Sequence, residues 1–323
     1  MSLRLSLALD AGLDLPGAVS VLLPTPEHDL SGLTGPVRVV QPFKPHHDHF
    51  AALGLECSPK MAVAQGDVVL FLPRAKARAR DLVARAARGG GTVVVDGAKT
   101  DGIDSLLKDI RKRVPVEGPI SKAHGKIFWF RADAESFADW IAPETFEIAG
   151  FHLAPGVFSA DGIDPASALL SEALPDRLGR HVVDLGAGWG YLSAQILGKP
   201  GVERVDLVEA DHVALDCARL NVADTRARFH WADACTWRSD EPANTVVMNP
   251  PFHAGRAADP GIGQGFIQTA ARSLAPGGAL WMVANRHLPY EAELQSLFAR
   301  VEEVGGDNRF KILHAARPSR PRR

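Results

Sequence analysis

The sequence has few cysteines and no apolar run long enough to cross a bilayer. Its 323 residues include only Cys57, Cys217 and Cys235. A small, odd and scattered set favours reduced thiols that fill the core of a cytoplasmic protein over a disulfide framework. A membrane-spanning helix needs about 18 consecutive apolar residues. The N-terminal stretch is interrupted by Asp10 and Asp14, so it does not form the apolar region of a signal peptide. We therefore expect a cytoplasmic protein without membrane attachment.

The chain also lacks an excess of either charge. Its 36 lysines and arginines oppose 38 aspartates and glutamates, a formal net charge of −2. The overall balance therefore does not indicate a nucleic-acid partner. Basic clusters at 74–80, 108–113 and 317–323 are explained equally well as solvated helix faces or a frayed tail. A hydrophobic content of 46% is typical of a globular protein, and the length indicates two domains.

The second half of the chain alternates between apolar strand patterns and helical patterns. The predicted strands are 181–186, 204–210, 227–232, 244–249 and 279–285, with helices at 191–198, 211–223 and 261–275 between them. Strands that alternate with helices at this spacing predict a doubly wound, mostly parallel sheet. Residues 301–316 predict a hairpin that turns about Gly305 to Asn308, which gives the sheet an antiparallel edge.

The first half repeats this pattern more faintly. Its predicted strands are 19–24, 37–43, 68–73 and 92–97, with a helix at 74–90. Residues 66–74 echo 244–252, and similar echoes at the next strand and at the hairpin favour an internal duplication over chance. The two copies differ in chemistry, since we align Leu72 with Asn249. The sequence predicts an α/β fold of two tandem domains, 1–140 and 150–323.

A glycine-rich turn follows the first strand of the second half, in VVDLGAGWGYLS at 182–193. Gly186 and Gly188 permit a tight turn and a close approach of a ligand to the backbone. The helix that follows offers unpaired N–H groups to an anionic ligand group. Alone this turn is a weak signal, because dinucleotide binders and other nucleoside binders share it.

Polar residues end the next three strands of the second half. Glu209 lies 23 residues after Gly186, where an acidic side chain can hold ribose hydroxyls. Asp233 and Asn249 follow the next two strands. A single acidic residue at such a place is often only a helix cap. Several in register predict a ligand site at the carboxyl edge of the sheet.

The fourth strand ends in Asn249-Pro250-Pro251-Phe252, which is unusual for a strand end. Two adjacent prolines remove two backbone donors, so no strand ladder continues through them. Together with Asp184, the glycine loop, Glu209 and Asp233, this motif resembles S-adenosylmethionine-dependent methyltransferases that carry N-P-P-[FY]. Within them the chain is similar to bacterial ribosomal RNA guanine-N2 methyltransferases. The resemblance is specific over about 150–315, where 155–170 and 283–290 also match.

The resemblance implies two tandem Rossmann-like methyltransferase domains. The second is catalytic, and the first is a degenerate copy that positions RNA or supports the fold. S-adenosylmethionine is the implied cofactor. The glycine loop, Gly186 and Gly188, would hold its methionine part with Asp184 near the amino group, while Glu209 would bind the ribose and Asp233 the adenine. Asn249 is implied at both the cofactor and the acceptor.

The resemblance also implies roles for the motif that ends the fourth strand. The Asn249 oxygen and the Pro250 carbonyl would accept the two N–H groups of the guanine amine, which frees its lone pair for attack on the methyl group. A residue before proline is held extended, so both acceptors are constrained. Phe252 would stack on the base. No metal ion is implied, and the histidines of 45–49 have no convergent metal-ligand spacing.

Several alternatives stay open at this point. A nicotinamide oxidoreductase shares the glycine turn and Glu209 but does not explain the NPPF motif. DNA adenine-N6 and protein glutamine-N5 methyltransferases present similar planar acceptors to this motif. A non-enzymatic RNA-binding assembly factor would carry the site as a relic. We expect a monomer. Its first candidate substrate is small-subunit RNA and its second is large-subunit RNA, either naked or in an assembled subunit.

Overall fold

The computed structural model describes residues 3–61, 66–251, 253–254, 257–258 and 260–319, without the side chains of 253–254, 257–258 and 260. The chain divides into two compact units, Met1–Glu144 and Thr145–Arg323. Along the described part of the chain, no helix is long and apolar enough to cross a membrane.

The first unit is a seven-stranded sheet with helices around it. Its strands are β1 (Val19–Leu22), β2 (Val37–Val40), β3 (Glu56–Ser58), β4 (Gly66–Phe71), β5 (Gly90–Ala98), β6 (Glu117–Lys122) and β7 (Gly125–Arg131). Its helices are α1 (Leu3–Asp10), α2 (Lys44–Ala52), α3 (Lys76–Ala86) and α4 (Ile103–Ile110), with short 3-10 turns at Ala87–Gly89, Lys99–Asp101 and Glu135–Trp140. The strand order is β3-β2-β1-β4-β5-β7-β6, with only β7 and β6 antiparallel to their neighbours.

The second unit contains another seven-stranded sheet and two small two-stranded pairs. The pairs are β8 (Phe146–Ile148) with β9 (Phe151–Leu153), and β14 (His253–Ala254) with β15 (Ala257–Ala258). The main strands are β10 (His181–Leu185), β11 (Arg204–Glu209), β12 (Ala227–Trp231), β13 (Ala243–Met248), β16 (Leu274–Asn285), β17 (Phe298–Gly306) and β18 (Phe310–Pro318). The helices are α5 (Pro165–Ala173), α6 (Tyr191–Leu197), α7 (His212–Asn221), α8 (Pro260–Ser273) and α9 (Glu291–Leu297).

The two sheets have the same strand order. In the second unit it is β12-β11-β10-β13-β16-β18-β17, which places each strand at the position of its counterpart in the first. The predicted fold of two tandem, mostly parallel sheets is confirmed, as is the antiparallel hairpin of β17 and β18. One alignment was wrong by a residue. Leu22 pairs with Leu70 and Leu185 pairs with Met248, so Phe71, not Leu72, is the counterpart of Asn249.

The second sheet is buried on both faces because helices cover both sides of its parallel strands. Val183 and Leu185 pack in one apolar cluster with α8, whereas Val182 and Leu207 pack in another with α5 and α6. Near-continuous apolar strands are the expected sequence signature of such a sheet. Asp184 lies in β10 with no exposed surface.

A second buried carboxylate lies in β11. Asp206 has no exposed surface and accepts hydrogen bonds from His181 Nε2 at 2.6 Å and His230 Nε2 at 2.8 Å. Arg204 lies 2.8 Å from the same carboxylate and also contacts the exposed Asp240. Burial acts to raise the pKa of Asp206, but these hydrogen bonds outweigh it and hold the pKa well below its usual value. The network joins the first three strands of the sheet on one face.

Candidate functional site

The carboxyl edge of the second sheet brings the predicted residues to one level. Leu185 at the end of β10 pairs with Val208 of β11 and with Met248 of β13. The next residues along the three strands are Gly186, Glu209 and Asn249. They therefore leave adjacent strands side by side, which is where open α/β sheets bind ligands.

The glycine loop has backbone conformations that only glycine adopts readily. Gly186, Gly188 and Gly190 have φ angles of +75°, +56° and +91°. A Cβ at Gly186 would lie 3.0 Å from Phe266, and one at Gly190 would lie 2.9 Å from Val222, so both are packed against the protein. A Cβ at Gly188 would meet no atom within 4 Å, so space is open on that side of its backbone. Gly188 is therefore the glycine whose backbone a ligand can approach.

Glu209 joins the glycine loop to the turn that follows β11. Its Oε2 accepts the N–H of Gly188 at 2.8 Å and its Oε1 accepts the N–H of Asp211 at 2.7 Å. Burial raises the pKa of Glu209 to about 7, against the opposing effect of these backbone hydrogen bonds. The carboxylate thus fixes the loop while lone pairs on both oxygens remain for further donors.

Asp184 lies beneath the loop. Its Oδ2 accepts a hydrogen bond from the Ser193 hydroxyl at 2.7 Å, while its Oδ1 is buried and has no partner among the described residues. Burial raises the pKa of Asp184 to about 6. A buried carboxyl oxygen without a hydrogen-bond partner destabilises the folded state, so packing alone does not explain an aspartate at this position.

Asp233 lies two residues beyond β12 and is half-buried. Our sequence pattern placed it at the strand end itself, whereas β12 stops at Trp231. The Asp233 Oδ1 accepts the N–H of Cys235 at 2.8 Å, which makes a tight turn between β12 and β13. Asp233 therefore reaches the same edge of the sheet from a loop.

Asn249 directly follows β13, and its amide is held from one side. The Nδ2 atom donates to Asp164 Oδ2 at 2.9 Å and to Ser167 Oγ at 2.8 Å. The Oδ1 atom is buried and finds no partner in the described part of the chain. Pro250 is buried and Pro251 is exposed. Phe252, predicted to stack on the acceptor, lies outside the described residues.

The comparisons with known proteins agree with this geometry. A family model described as "Methyltransferase small domain" matches residues 149–314. The ribosomal RNA small subunit methyltransferase C of Psychromonas ingrahamii is 31% identical over 261 residues, which cover 76% of this chain and 74% of the relative. The ribosomal RNA large subunit methyltransferase G of Shewanella amazonensis is 31% identical over 279 residues, which cover 81% of this chain and 72% of the relative.

A solved structure is similar over nearly the whole chain. It is the T. thermophilus 16S rRNA guanine-N2 methyltransferase in complex with AdoMet and guanosine. The TM-score is 0.77 at 27% identity, and the match covers 96% of this chain and 90% of that one. The chain belongs to the bacterial ribosomal RNA guanine-N2 methyltransferase family.

The likeness to these guanine-N2 methyltransferases reaches beyond the second unit. The family model matches only from residue 149 onward, whereas the T. thermophilus structure matches 96% of the chain. Motifs alone supported the resemblance only over about 150–315. The comparisons therefore extend it to the first half, where the sequence offers neither a glycine loop nor an NPPF motif.

In this methyltransferase the corresponding edge of the first unit's own sheet carries different side chains. Phe71 takes the position of Asn249 and stacks on His28, with ring centroids 3.8 Å apart. Gln41 is buried and satisfied at both ends, by the Pro24 carbonyl and the N–H of Phe43. Burial lowers the pKa of His28 to about 4. These polar and aromatic side chains therefore have partners within the first unit, in contrast to the unpartnered Oδ1 of Asn249.

Sequence reasoning missed two residues of the methyltransferase site, Asp164 and Ser167. Asp164 is the N-cap of α5, and its Oδ2 accepts the N–H of Ser167 at 2.8 Å. The pattern Asp-Pro-x-Ser is a recognisable helix start, with proline at the first helical position. That signal predicts where the helix begins, but it does not reveal that the cap residue contacts Asn249, 85 residues away.

Two further side chains of the second unit have structural roles. Trp189 is buried against Phe151 and donates from its indole to the Phe158 carbonyl at 3.0 Å. Arg286 binds Glu303 and the carbonyls of 307 and 310, so it holds the edge hairpin. Among the described residues, no three metal-type ligands converge.

Proposed function

We infer that this chain transfers a methyl group from S-adenosylmethionine to the N2 amine of a guanosine in ribosomal RNA. The observation that carries this function is the unpartnered, buried Oδ1 of Asn249, at the level of the sheet that Asn249 shares with Gly186 and Glu209. The T. thermophilus relative acts at N2 of a guanine in 16S rRNA and was solved with AdoMet and guanosine.

The residues around the glycine loop fit S-adenosylmethionine. Open space at Gly188 accommodates the methionine part against the backbone. We assign the ribose hydroxyls to the free lone pairs of Glu209 and the adenine amine to Asp233. The unpartnered Oδ1 of Asp184 suits the amino group of the cofactor. When bound, S-adenosylmethionine supplies an electrophilic methyl group on a sulfonium.

The protein contributes activation of a weak nucleophile. The lone pair of an exocyclic guanine amine is delocalised into the ring. Hydrogen bonds from its two N–H groups to the Asn249 Oδ1 and the Pro250 carbonyl pull the nitrogen toward tetrahedral geometry. Both acceptors are fixed before the reaction, so they need no reorganisation during it. The proton leaves after methyl transfer. Stacking on the base remains the predicted role of Phe252.

Small-subunit RNA is the proposed substrate, and the chain is proposed to act as a monomer. The T. thermophilus relative that matches 96% of the chain acts on 16S rRNA. Small-subunit enzymes of Hahella chejuensis and P. ingrahamii match over 79% and 76% of the chain. Since large-subunit enzymes match at similar identity, large-subunit RNA is the second candidate.

One labelling experiment tests the function. The protein is incubated with methyl-labelled S-adenosylmethionine and with naked RNA or assembled subunits from a strain that lacks the enzyme. We expect N2-methylguanosine in small-subunit RNA, and mapping identifies the nucleotide. Label confined to the large subunit would correct the subunit alone. Label in neither, or transfer to DNA adenine or protein glutamine instead, contradicts the ribosomal assignment.

The Asn249→Ala variant tests the site itself. Cofactor binding should persist, while methyl transfer falls by at least about 10²-fold, the scale for loss of one preorganised polar group. Calorimetry with the cofactor and single-turnover methylation measure the two effects separately. Unchanged turnover would refute this account of the site.

A further inference from the structure

A hydrogen-bond network that the motifs do not reveal ends on Asn249. Asp164 Oδ2 and Ser167 Oγ both accept from Asn249 Nδ2, at 2.9 and 2.8 Å. The same Asp164 oxygen caps α5 through the N–H of Ser167. The amide of Asn249 is therefore attached to the first turn of a helix, although its backbone lies at the start of a loop.

The carboxylate of Asp164 determines which end of the Asn249 amide faces it. An ionised carboxylate accepts hydrogen bonds and cannot donate them. The side of Asn249 that faces Asp164 must therefore be the NH2 group. Its oxygen then points the other way, where it is buried and lacks a partner among the described residues. A flipped amide would set oxygen against carboxylate and present N–H donors where the guanine amine needs an acceptor.

We propose that Asp164 and Ser167 are positioning residues for methyl transfer, which hold the Asn249 amide with its oxygen toward the acceptor amine. This inference rests on the proposed function of Asn249. Ser167 is buried and Asp164 is half-buried, so the contacts are shielded from competing water. Because reacting groups must be aligned closely, misplacement by about 1 Å is enough to cost on the order of 10² in rate.

The test variants retain the helix and remove the orientation. Asp164→Ser keeps a good N-cap, but a hydroxyl donates as well as accepts and no longer excludes the flipped amide. Ser167→Ala removes the second acceptor. The double variant should lose about 10- to 100-fold in kcat, with the RNA KM and the cofactor affinity unchanged. Ser171→Ala, one turn further along α5, is the matched control and should retain the wild-type kcat.

A double-mutant cycle with Asn249→Ala separates positioning from a general structural effect. If Asp164 and Ser167 act through Asn249, their replacement has no further effect on single-turnover rate once Asn249 is gone. A purely structural role gives the same loss in both backgrounds. That additivity, or a wild-type kcat in the double variant, overturns the proposal.

A readout without turnover completes the experiment. The side-chain NH2 signal of Asn249 is assigned by its disappearance in Asn249→Ala. We expect slow proton exchange in the wild type and faster exchange with a shifted signal in the Asp164→Ser/Ser167→Ala variant. An unchanged signal overturns the proposal. Full turnover of Asn249→Ala would overturn the proposed function as well, whereas loss in Asn249→Ala with full kcat in the double variant overturns the positioning alone.

Discussion

At the scale of single residues, the site depends on polar atoms whose partners differ at their two ends. Asn249 has a satisfied NH2 group and an unsatisfied oxygen. Asp184 has one satisfied and one unsatisfied oxygen. Unsatisfied buried atoms cost stability, and their cost is recovered only when a ligand supplies the missing partner. At the carboxyl edge of the sheet, these two unpaired oxygens are the atoms to which we propose that ligands donate.

Replacement of Asn249 by Asp should inactivate the enzyme even though an acceptor oxygen is retained. The second carboxylate oxygen would take the place of Nδ2, 2.9 Å from Asp164. Two carboxylates this close cannot both remain ionised, so they share a proton or move apart. We expect methyl transfer to fall by about 10²-fold or more, measured in single turnovers. In an Asp164→Asn background an amide can again face the carboxylate, and part of the rate should return. Wild-type turnover of Asn249→Asp alone would contradict this account.

At the scale of elements, the strand ends of β10, β11 and β13 create the site, and the glycine loop determines its access. Gly186 and Gly190 pack against Phe266 and Val222, whereas Gly188 borders open space. The three glycines share a left-handed backbone for different reasons. Two permit close packing of helices on the sheet, and one keeps room for a ligand.

This difference predicts the effect of alanine at Gly188. A left-handed alanine costs about 1–2 kcal/mol of stability, and the added Cβ also enters the open space of the site. Cofactor affinity should fall about tenfold, equivalent to about 1.4 kcal/mol, as measured by calorimetry. Gly201 is the matched control, because its φ of +79° and open surroundings give the same strain away from the site. Equal affinity in the two variants would show that Gly188 does not border the cofactor.

The Asp206 network predicts the pH dependence of stability. The folded-state pKa of Asp206 lies below its usual value, so the folded protein binds fewer protons than the unfolded chain. Its stabilisation is complete above the unfolded-state pKa of about 3.9 and is lost as the pH falls below that value. Asp206→Asn should therefore destabilise the protein by about 3–5 kcal/mol at pH 7, because the buried partners of Asp206 lose their counter-charge. Near pH 3 the same substitution should destabilise the protein by less.

Urea unfolding at the two pH values measures this effect. Asp240→Asn is the control, because Asp240 contacts the same Arg204 but is 64% exposed. An exposed pair contributes only about 0–1 kcal/mol to stability. Equal losses for the two variants at pH 7 would show that the strands do not depend on the buried carboxylate.

At the scale of the whole molecule, sequence patterns predicted the sheets better than the contacts at their edges. Strand periodicity, the glycine loop and the NPPF motif lie in short segments, so they are readable without tertiary structure. The Asp164 contact joins residues 85 positions apart, and no local pattern encodes such a pair. The one-residue error at Phe71 has a different cause, because the echo of 66–74 on 244–252 already sets Phe71 opposite Asn249 when it is read residue by residue. The pairing of Leu70 with Leu22 gives the same register.

The two sheets share one strand order, but their edges differ, and this difference predicts a single cofactor site per chain. In the first unit Phe71 and His28 stack at the edge where Asn249 borders the site in the second. Calorimetry with S-adenosylmethionine should give about one molecule per chain, and Gly188→Ala should weaken that one event. His28→Ala, in the first unit, should change neither the stoichiometry nor the affinity. A second binding event would contradict the single site. Binding that Gly188→Ala leaves intact and His28→Ala weakens would place the cofactor in the first unit and reverse the roles of the two copies.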